Sequence, residues 1–188
     1  MKTCAVQFNL YLRMLLVAGL FSGCQTHAGH SDTSQKKAPK KGYSLVRLHI
    51  ETNADGTDKN GPVTIGRQSP FTINVSKDPF VNEKHLVKAS LEEDGMGGFA
   101  LRVQFNRQGS WLLEQYTVAN KGRHIAVFAE LDDFRWLAAP LITKRITDGV
   151  LTFAPDTSRD EAEKLVLGLT KAIKKERSRT SLNDPEPP

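Results

Sequence analysis

The heptapeptide Phe99–Phe105 most narrows what this chain can become. Phe99, Leu101, Val103 and Phe105 fall on one face, with polar residues between three of them, the pattern of a strand with one face in a core. Other segments repeat it. Val46, Leu48 and Ile50 alternate within Tyr43–Thr52. Val63 and Ile65 share a face in a weaker strand over Pro62–Gly66, Phe71, Ile73 and Val75 form another, and Val87, Ala89 and Leu91 alternate in Leu86–Leu91. Arg123–Glu130 is apolar on both faces, which predicts a central strand, and Asp132–Ala138 follows with Phe134 and Trp136. Pro140–Thr147 and Val150–Ala154 read as a hairpin around Asp148-Gly149, a pair suited to a tight turn.

Two stretches carry a helical period instead. In Ser110–Asn120, Leu112, Tyr116 and Ala119 form a stripe, with Leu113 beside it; Ser110 reads as the N-cap and Gly122 as a left-handed stop. The second begins with the capping box Ser158-x-x-Glu161 and continues through Ala162, Leu165, Val166, Leu169 and Ile173. Acids open this helix and lysines close it, as the helix dipole favours. The fold class is α+β: a largely antiparallel sheet with two helices packed on one face, over residues 43–173. The segment 53–62, NADGTDKNGP, reads as a loop with turn pairs at Asp55-Gly56 and Asn60-Gly61. Residues 174–188 carry no apolar period and read as a disordered tail.

The first residues read as an address rather than as fold. Lys2 and Arg13 precede the short apolar run Met14–Phe21, and Ser22-Gly23-Cys24 follows. This order resembles the signal of bacterial lipoproteins, with Phe21 where the usual box has Leu. The resemblance implies cleavage after residue 23, acylation of Cys24 and a lipid-anchored, periplasm-facing protein in the bacterial envelope. By the same resemblance, Gln25 after the cysteine points to the outer membrane. Removing residues 1–23 takes Lys2, Arg13 and Cys4, so the formal charge falls from +5 to +3 and no free thiol remains once Cys24 is acylated. Residues 24–42 then form the anchor and a flexible tether with Lys36, Lys37, Lys40 and Lys41. His27 and His30 lie in that tether, where nothing preorganises a metal site.

A second resemblance covers residues 80–173. Asn120-Lys121-Gly122 ends a helix before the pair Ile125-Ala126. Ala139-Pro140-Leu141-Ile142, Ile146 and Gly149 follow, then Ser158-Arg159-Asp160-Glu161-Ala162 at the last helix. This order resembles the periplasmic head subdomain of the SecD/SecDF protein-export family. In that family the head projects near emerging chains, so the resemblance implies an unfolded-polypeptide or envelope partner. It does not imply a motor: no apolar run reaches 18 residues, and nothing corresponds to the membrane helices that carry proton-driven work in the family. Glu130-Leu131-Asp132-Asp133 also departs from the family's turn, and residues 43–79 show no resemblance.

No catalytic constellation, cofactor motif or metal-ligand spacing stands out. His49, His85 and His124 have no spaced partners and read as surface or edge histidines, with His49 pointing outwards on its strand. Glu92-Glu93-Asp94 and Asp132-Asp133 read as solvated turn charges, and Gly95, Gly97 and Gly98 as a flexible turn. Trp111 and Trp136 read as core or rim packing. Interspersed acids and an envelope address argue against a nucleic-acid partner. The expected function is non-catalytic binding of a polypeptide or envelope partner, with strand addition at a sheet edge as the physical route. The alternatives are a scaffold subunit of an envelope complex and an envelope enzyme; Glu114 set against Asp132 in a pocket is the feature that would favour the enzyme.

Overall fold

Alternating apolar residues become strands where a ladder partner exists, and eight segments among the described residues meet that condition. The computed structural model describes residues 42–67, 69–93, 95, 97–130 and 133–183. Their strands are β1 (Leu45–Ile50), β2 (Asn60–Ile65), β3 (Phe71–Ser76), β4 (Leu86–Glu93), β5 (Phe99–Phe105), β6 (Ile125–Glu130), β7 (Phe134–Ala138) and β8 (Val150–Phe153). The helices are α1 (Arg107–Ala119) and α2 (Arg159–Asn183), with a 3-10 turn at Glu83–His85. All pairings are antiparallel. They form three ladders rather than one sheet: β1-β6-β7, the ribbon β2-β3, and β4-β5-β8.

One apolar core joins both three-stranded sheets to both helices. Leu48, Ile125, Val127 and Leu137 enter it from one sheet, Leu101, Val103 and Leu151 from the other, and Leu113, Leu165 and Leu169 from the helices. Each such side chain contributes about 1.5–3 kcal/mol by leaving water. The α+β class, the antiparallel strands, the two helices and the central position of β6 follow the sequence expectation.

Five details differ from that expectation. First, α1 starts earlier, capped by Asn106, whose Oδ1 accepts the Gly109 N–H at 2.9 Å. Second, Asn60-Gly61 lies inside β2 rather than in a turn. Third, Pro140–Thr147 and β8 are not a hairpin. Residues 140–142 run beside the start of β6, with Ile125 N–H to Pro140 C=O at 3.0 Å and Ile142 N–H to Arg123 C=O at 2.8 Å. β8 pairs with β5 instead. Fourth, α2 continues past residue 174 to Asn183. Fifth, His49 is buried, at 7% exposure, because the β2-β3 ribbon covers the outer face of β1 and β6; Ile65, Val75 and Ala126 form the small core between them.

The capping box at α2 stands as expected. Glu161 N–H donates to Ser158 Oγ at 3.3 Å, and Glu161 Oε2 accepts the Ser158 N–H at 3.2 Å. No helix among the described residues is long and apolar enough to cross a membrane.

Candidate functional site

A sheet edge with unused backbone groups is a ready template for another strand. Most edges here are closed. Leu48 on β1 exchanges backbone bonds with Phe80 and Val81 at 2.9 Å each. The outer edge of β4 lies under α2, and Arg177 Nη2 donates to Val87 C=O at 3.2 Å. On β7, Leu137 C=O accepts the Asp156 N–H at 2.7 Å. β2 carries Pro62, which has no N–H to offer.

β8 is the open edge. Phe105 N–H donates to Gly149 C=O at 2.9 Å, and the ladder pairs Val103 with Leu151 and Leu101 with Phe153. By alternation, Val150 and Thr152 turn their N–H and C=O groups away from β5. Asp148 Oδ1 accepts the Val150 N–H at 3.1 Å. That leaves the Val150 carbonyl and both backbone groups of Thr152 facing outwards.

These groups border a groove of about 470 Å³. Its far wall is the segment 140–148, where Leu141 and Ile146 supply apolar surface over the buried Ile142 and Ile125. Arg102, Lys144 and Arg145 supply positive charge. The Arg102 guanidinium meets Glu92 at 3.0 Å, and Arg145 is paired with Glu114 on α1. The groove therefore combines backbone donors and acceptors with an apolar wall and rims of mixed charge, where Lys144 and Asp148 stand beside the paired Arg102 and Arg145, the set that holds an extended peptide.

A smaller cleft of about 290 Å³ opens on the outer face of the first sheet, between Trp136, Phe128, Pro62 and Val63, with Lys77 at its rim. His49 lies against it. Its Nδ1 is 2.8 Å from the Ser76 carbonyl, which can only accept, so Nδ1 carries the proton. Burial pushes the His49 imidazole below its ordinary 6.5.

The other sequence candidates have structural roles. His85 Nδ1 accepts the Asn82 N–H at 3.2 Å and caps the 3-10 turn. His124 meets Glu51 Oε2 through both its backbone N–H and Nδ1 at 2.7 Å, clamping the end of β1 to the start of β6. Glu92 and Glu93 are not merely solvated charges, since Glu93 takes both terminal nitrogens of Arg159, at 2.8 and 2.6 Å. Trp136 lines the smaller cleft, whereas Trp111 is 58% exposed on α1 rather than packed in the core. Glu114 faces Arg145; its expected partner Asp132 lies outside the described residues, as do Asp94, the whole segment up to Lys41 with Cys24, His27 and His30, and the last five residues. No group of three or more His, Cys, Asp or Glu able to hold a metal occurs among the described residues.

Sequence reasoning missed the β8 edge. The Asp148-Gly149 signal marks a chain reversal, and only the pairing of β8 with β5 shows which side stays open.

Comparison with known proteins gives the same architecture a name. Residues 58–172 match the family described as SecDF, P1 head subdomain, which brings β2 and β3 into a likeness the sequence motifs start at residue 80. The protein translocase subunit SecD of Rhodothermus marinus is 27% identical over 123 residues, covering 65% of this chain but 18% of that protein. A solved structure of SecDF, described as a membrane component that enhances protein export, aligns at TM-score 0.50 and 18% identity over 68% of this chain and 62% of its own. SecDF in its super-membrane-facing form aligns at TM-score 0.52 and 19% identity, over 68% of this chain and 19% of its own. With more than half its length in the match, this chain belongs to the SecDF P1 head subdomain family.

Proposed function

We propose that this chain is a non-catalytic, lipid-anchored envelope protein that faces the periplasm, holds extended segments of unfolded polypeptide and serves protein export. The open edge of β8 beside the groove carries this reading. Three outward backbone groups contribute about 0.5–1.5 kcal/mol each when paired, and one apolar side chain against Leu141 and Ile146 adds about 1.5–3 kcal/mol. Ordering a flexible peptide offsets much of that sum, so binding is weak and brief, as transfer of a moving chain requires. The relatives named for protein translocation and export support the link to export.

The test is a titration of the protein with a labelled, unfolded envelope protein and with its folded form, read by fluorescence anisotropy. Saturable preference for the unfolded chain is expected. Thr152→Pro removes an outward N–H without taking a bond from the β5–β8 ladder, and is expected to weaken binding about tenfold. Equal binding by a Thr152→Pro variant that melts like the wild type would rule out the β8 edge.

Binding to neither form would favour a scaffold instead. One observation supports that second reading: Trp111 and Val118, two turns apart on α1, are 58% and 56% exposed.

A further inference from the structure

Along Lys164–Lys175, α2 packs one side into the core and builds an amphipathic surface of its own on the other. Leu165, Leu169 and Ile173 bury one stripe of the helix. At 100° per residue, Lys164, Leu167, Lys171, Lys174 and Lys175 fall within one stripe on the opposite side. All five are exposed, and Leu167 is 62% exposed with no apolar neighbour on that stripe. From Lys164 onwards the stripe contains no acid; Asp160 lies on it one turn earlier, Glu163 at its margin, and Glu176 on another side of the helix. Among the described residues, the ion pairs of α2 use Arg159, Glu161, Glu176 and Arg179, and leave these lysines out.

One contact joins the start of the described chain to this stripe, and Lys171 lies close beside Gly42. Lys175 Nζ lies 4.5 Å over the ring of Tyr43, itself 44% exposed. A Cβ on Gly42 would sit 3.9 Å from Lys171 Nζ. In sequence, Lys36, Lys37, Lys40 and Lys41 come immediately before Gly42. Satisfying the helix dipole needs cations in the last turn only. It does not explain a stripe that begins at Lys164 and keeps an exposed leucine in its midst.

We infer that the Lys164–Lys175 stripe, with Leu167 and Tyr43, docks on an anionic phospholipid surface. The lysines would lie against lipid phosphates, while Leu167 and the Tyr43 ring enter the headgroup boundary, the arrangement of interfacial helices. Docking there would fix which way the β8 groove faces. It needs no acyl chain at Cys24 and does not depend on polypeptide binding at β8.

The test uses the full chain with vesicles of phosphatidylcholine alone and of phosphatidylcholine mixed equally with phosphatidylglycerol, in a sedimentation assay. Any apolar attachment through the N-terminal segment contributes equally to both, so the anionic increment is the readout. That increment is expected to shrink as salt rises. In the variant K171Q/K174Q/K175Q it should fall about tenfold or more, since each lysine near an anionic surface is worth severalfold in binding. Leu167→Gln should cause a smaller loss. Polypeptide binding in the triple variant should stay at the wild-type level, so this inference and the β8 reading fail separately. Equal partition into both vesicle types, or an unchanged increment in the triple variant, would overturn the inference. So would binding to an acidic polypeptide such as polyglutamate with no anionic increment on vesicles, which would assign the stripe to a protein partner.

Discussion

The hydroxyl of Thr117, buried inside α1, accepts the backbone N–H of Ile146 at 3.1 Å while donating to the Glu114 carbonyl at 3.1 Å. This single side chain ties the far wall of the groove to the helix beneath it. Thr117→Val keeps the shape and leaves the Ile146 N–H without its acceptor. Loss of such a partner costs about 1–3 kcal/mol. A lower urea midpoint with unchanged slope is expected, together with weaker polypeptide binding. Thr117→Ser keeps the hydroxyl and should restore binding more than stability, because it still deletes a buried methyl. Normal binding by Thr117→Val would mean that the wall does not need this tether.

Gly149 directs the chain into β8, and no other residue suits the position. Its φ is +66°, and an added Cβ would lie 2.7 Å from the Ser110 Cβ. Gly149→Ala therefore combines left-handed strain with a clash against α1, and should cost more than about 2 kcal/mol. In the double variant Gly149→Ala/Ser110→Gly the clash is relieved and the strain stays. Partial recovery of the urea midpoint is expected. Full recovery would show that sterics alone make the glycine necessary.

Stability should fall on acidification in two separate steps. The first is shared by His49 and His85, both held below their ordinary 6.5 chiefly by burial; at His49 Arg47 adds to this, with the Ser76 carbonyl and Asp78 opposing. The unfolded chain takes up the proton first, so this stability is complete above 6.5 and is lost as pH drops towards the folded value. The second is shared by carboxyls held below their ordinary range, Asp55, Glu83 and Glu161 among them, with Glu51 at the end of β1. Burial alone would raise the Glu51 carboxyl, but hydrogen bonds from the His124 ring and backbone, with the charges of His124 and Arg123, bring it below 4.5. Its contribution is present above 4.5 and is lost as pH falls through the folded value. His49→Asn keeps a donor near the Ser76 carbonyl and does not titrate, so it should shrink the first step only. Glu51→Gln should shrink the second only. Urea midpoints measured across both ranges separate the two, and a single step unaffected by either change would contradict the assignment.

What could be read from residues follows from the range of the interactions involved. β5 was legible because its alternation is complete within seven residues and both its ladder neighbours bury the same face. The start of α2 was legible because a capping box closes within four residues. Asn106 was missed as the cap of α1 because the first turn, Arg107-Gln108-Gly109, shows no apolar period, so the pattern starts later than the helix. The end of α2 was missed for a related reason: past Ile173 no residue is buried among those with described side chains, and an exposed helix leaves no apolar stripe to read. Burial of His49 depends on a ribbon that begins eleven residues later and folds back across the sheet. The candidate site was the least legible part, because its open edge is defined by what β8 does not pair with.

The remaining prediction concerns Cys24, which lies outside the described residues. Basic Lys2 and Arg13, the apolar run Met14–Phe21 and the small pair Ser22-Gly23 before this cysteine resemble a lipoprotein signal, and the proposed anchor rests on that resemblance. In cells given a labelled fatty acid, the wild-type chain should take up label and shorten by its first 23 residues. Cys24→Ser offers no thiol for a thioether to diacylglycerol, so the full-length precursor should persist without label. Two or three acyl chains hold a protein on a membrane, whereas one is marginal. Wild-type protein should therefore resist high-salt extraction, while any Cys24→Ser protein held only by the α2 lysines should be released by it. Equal labelling of the two chains would remove the lipid anchor from the proposal and leave the β8 edge and the α2 surface as they stand.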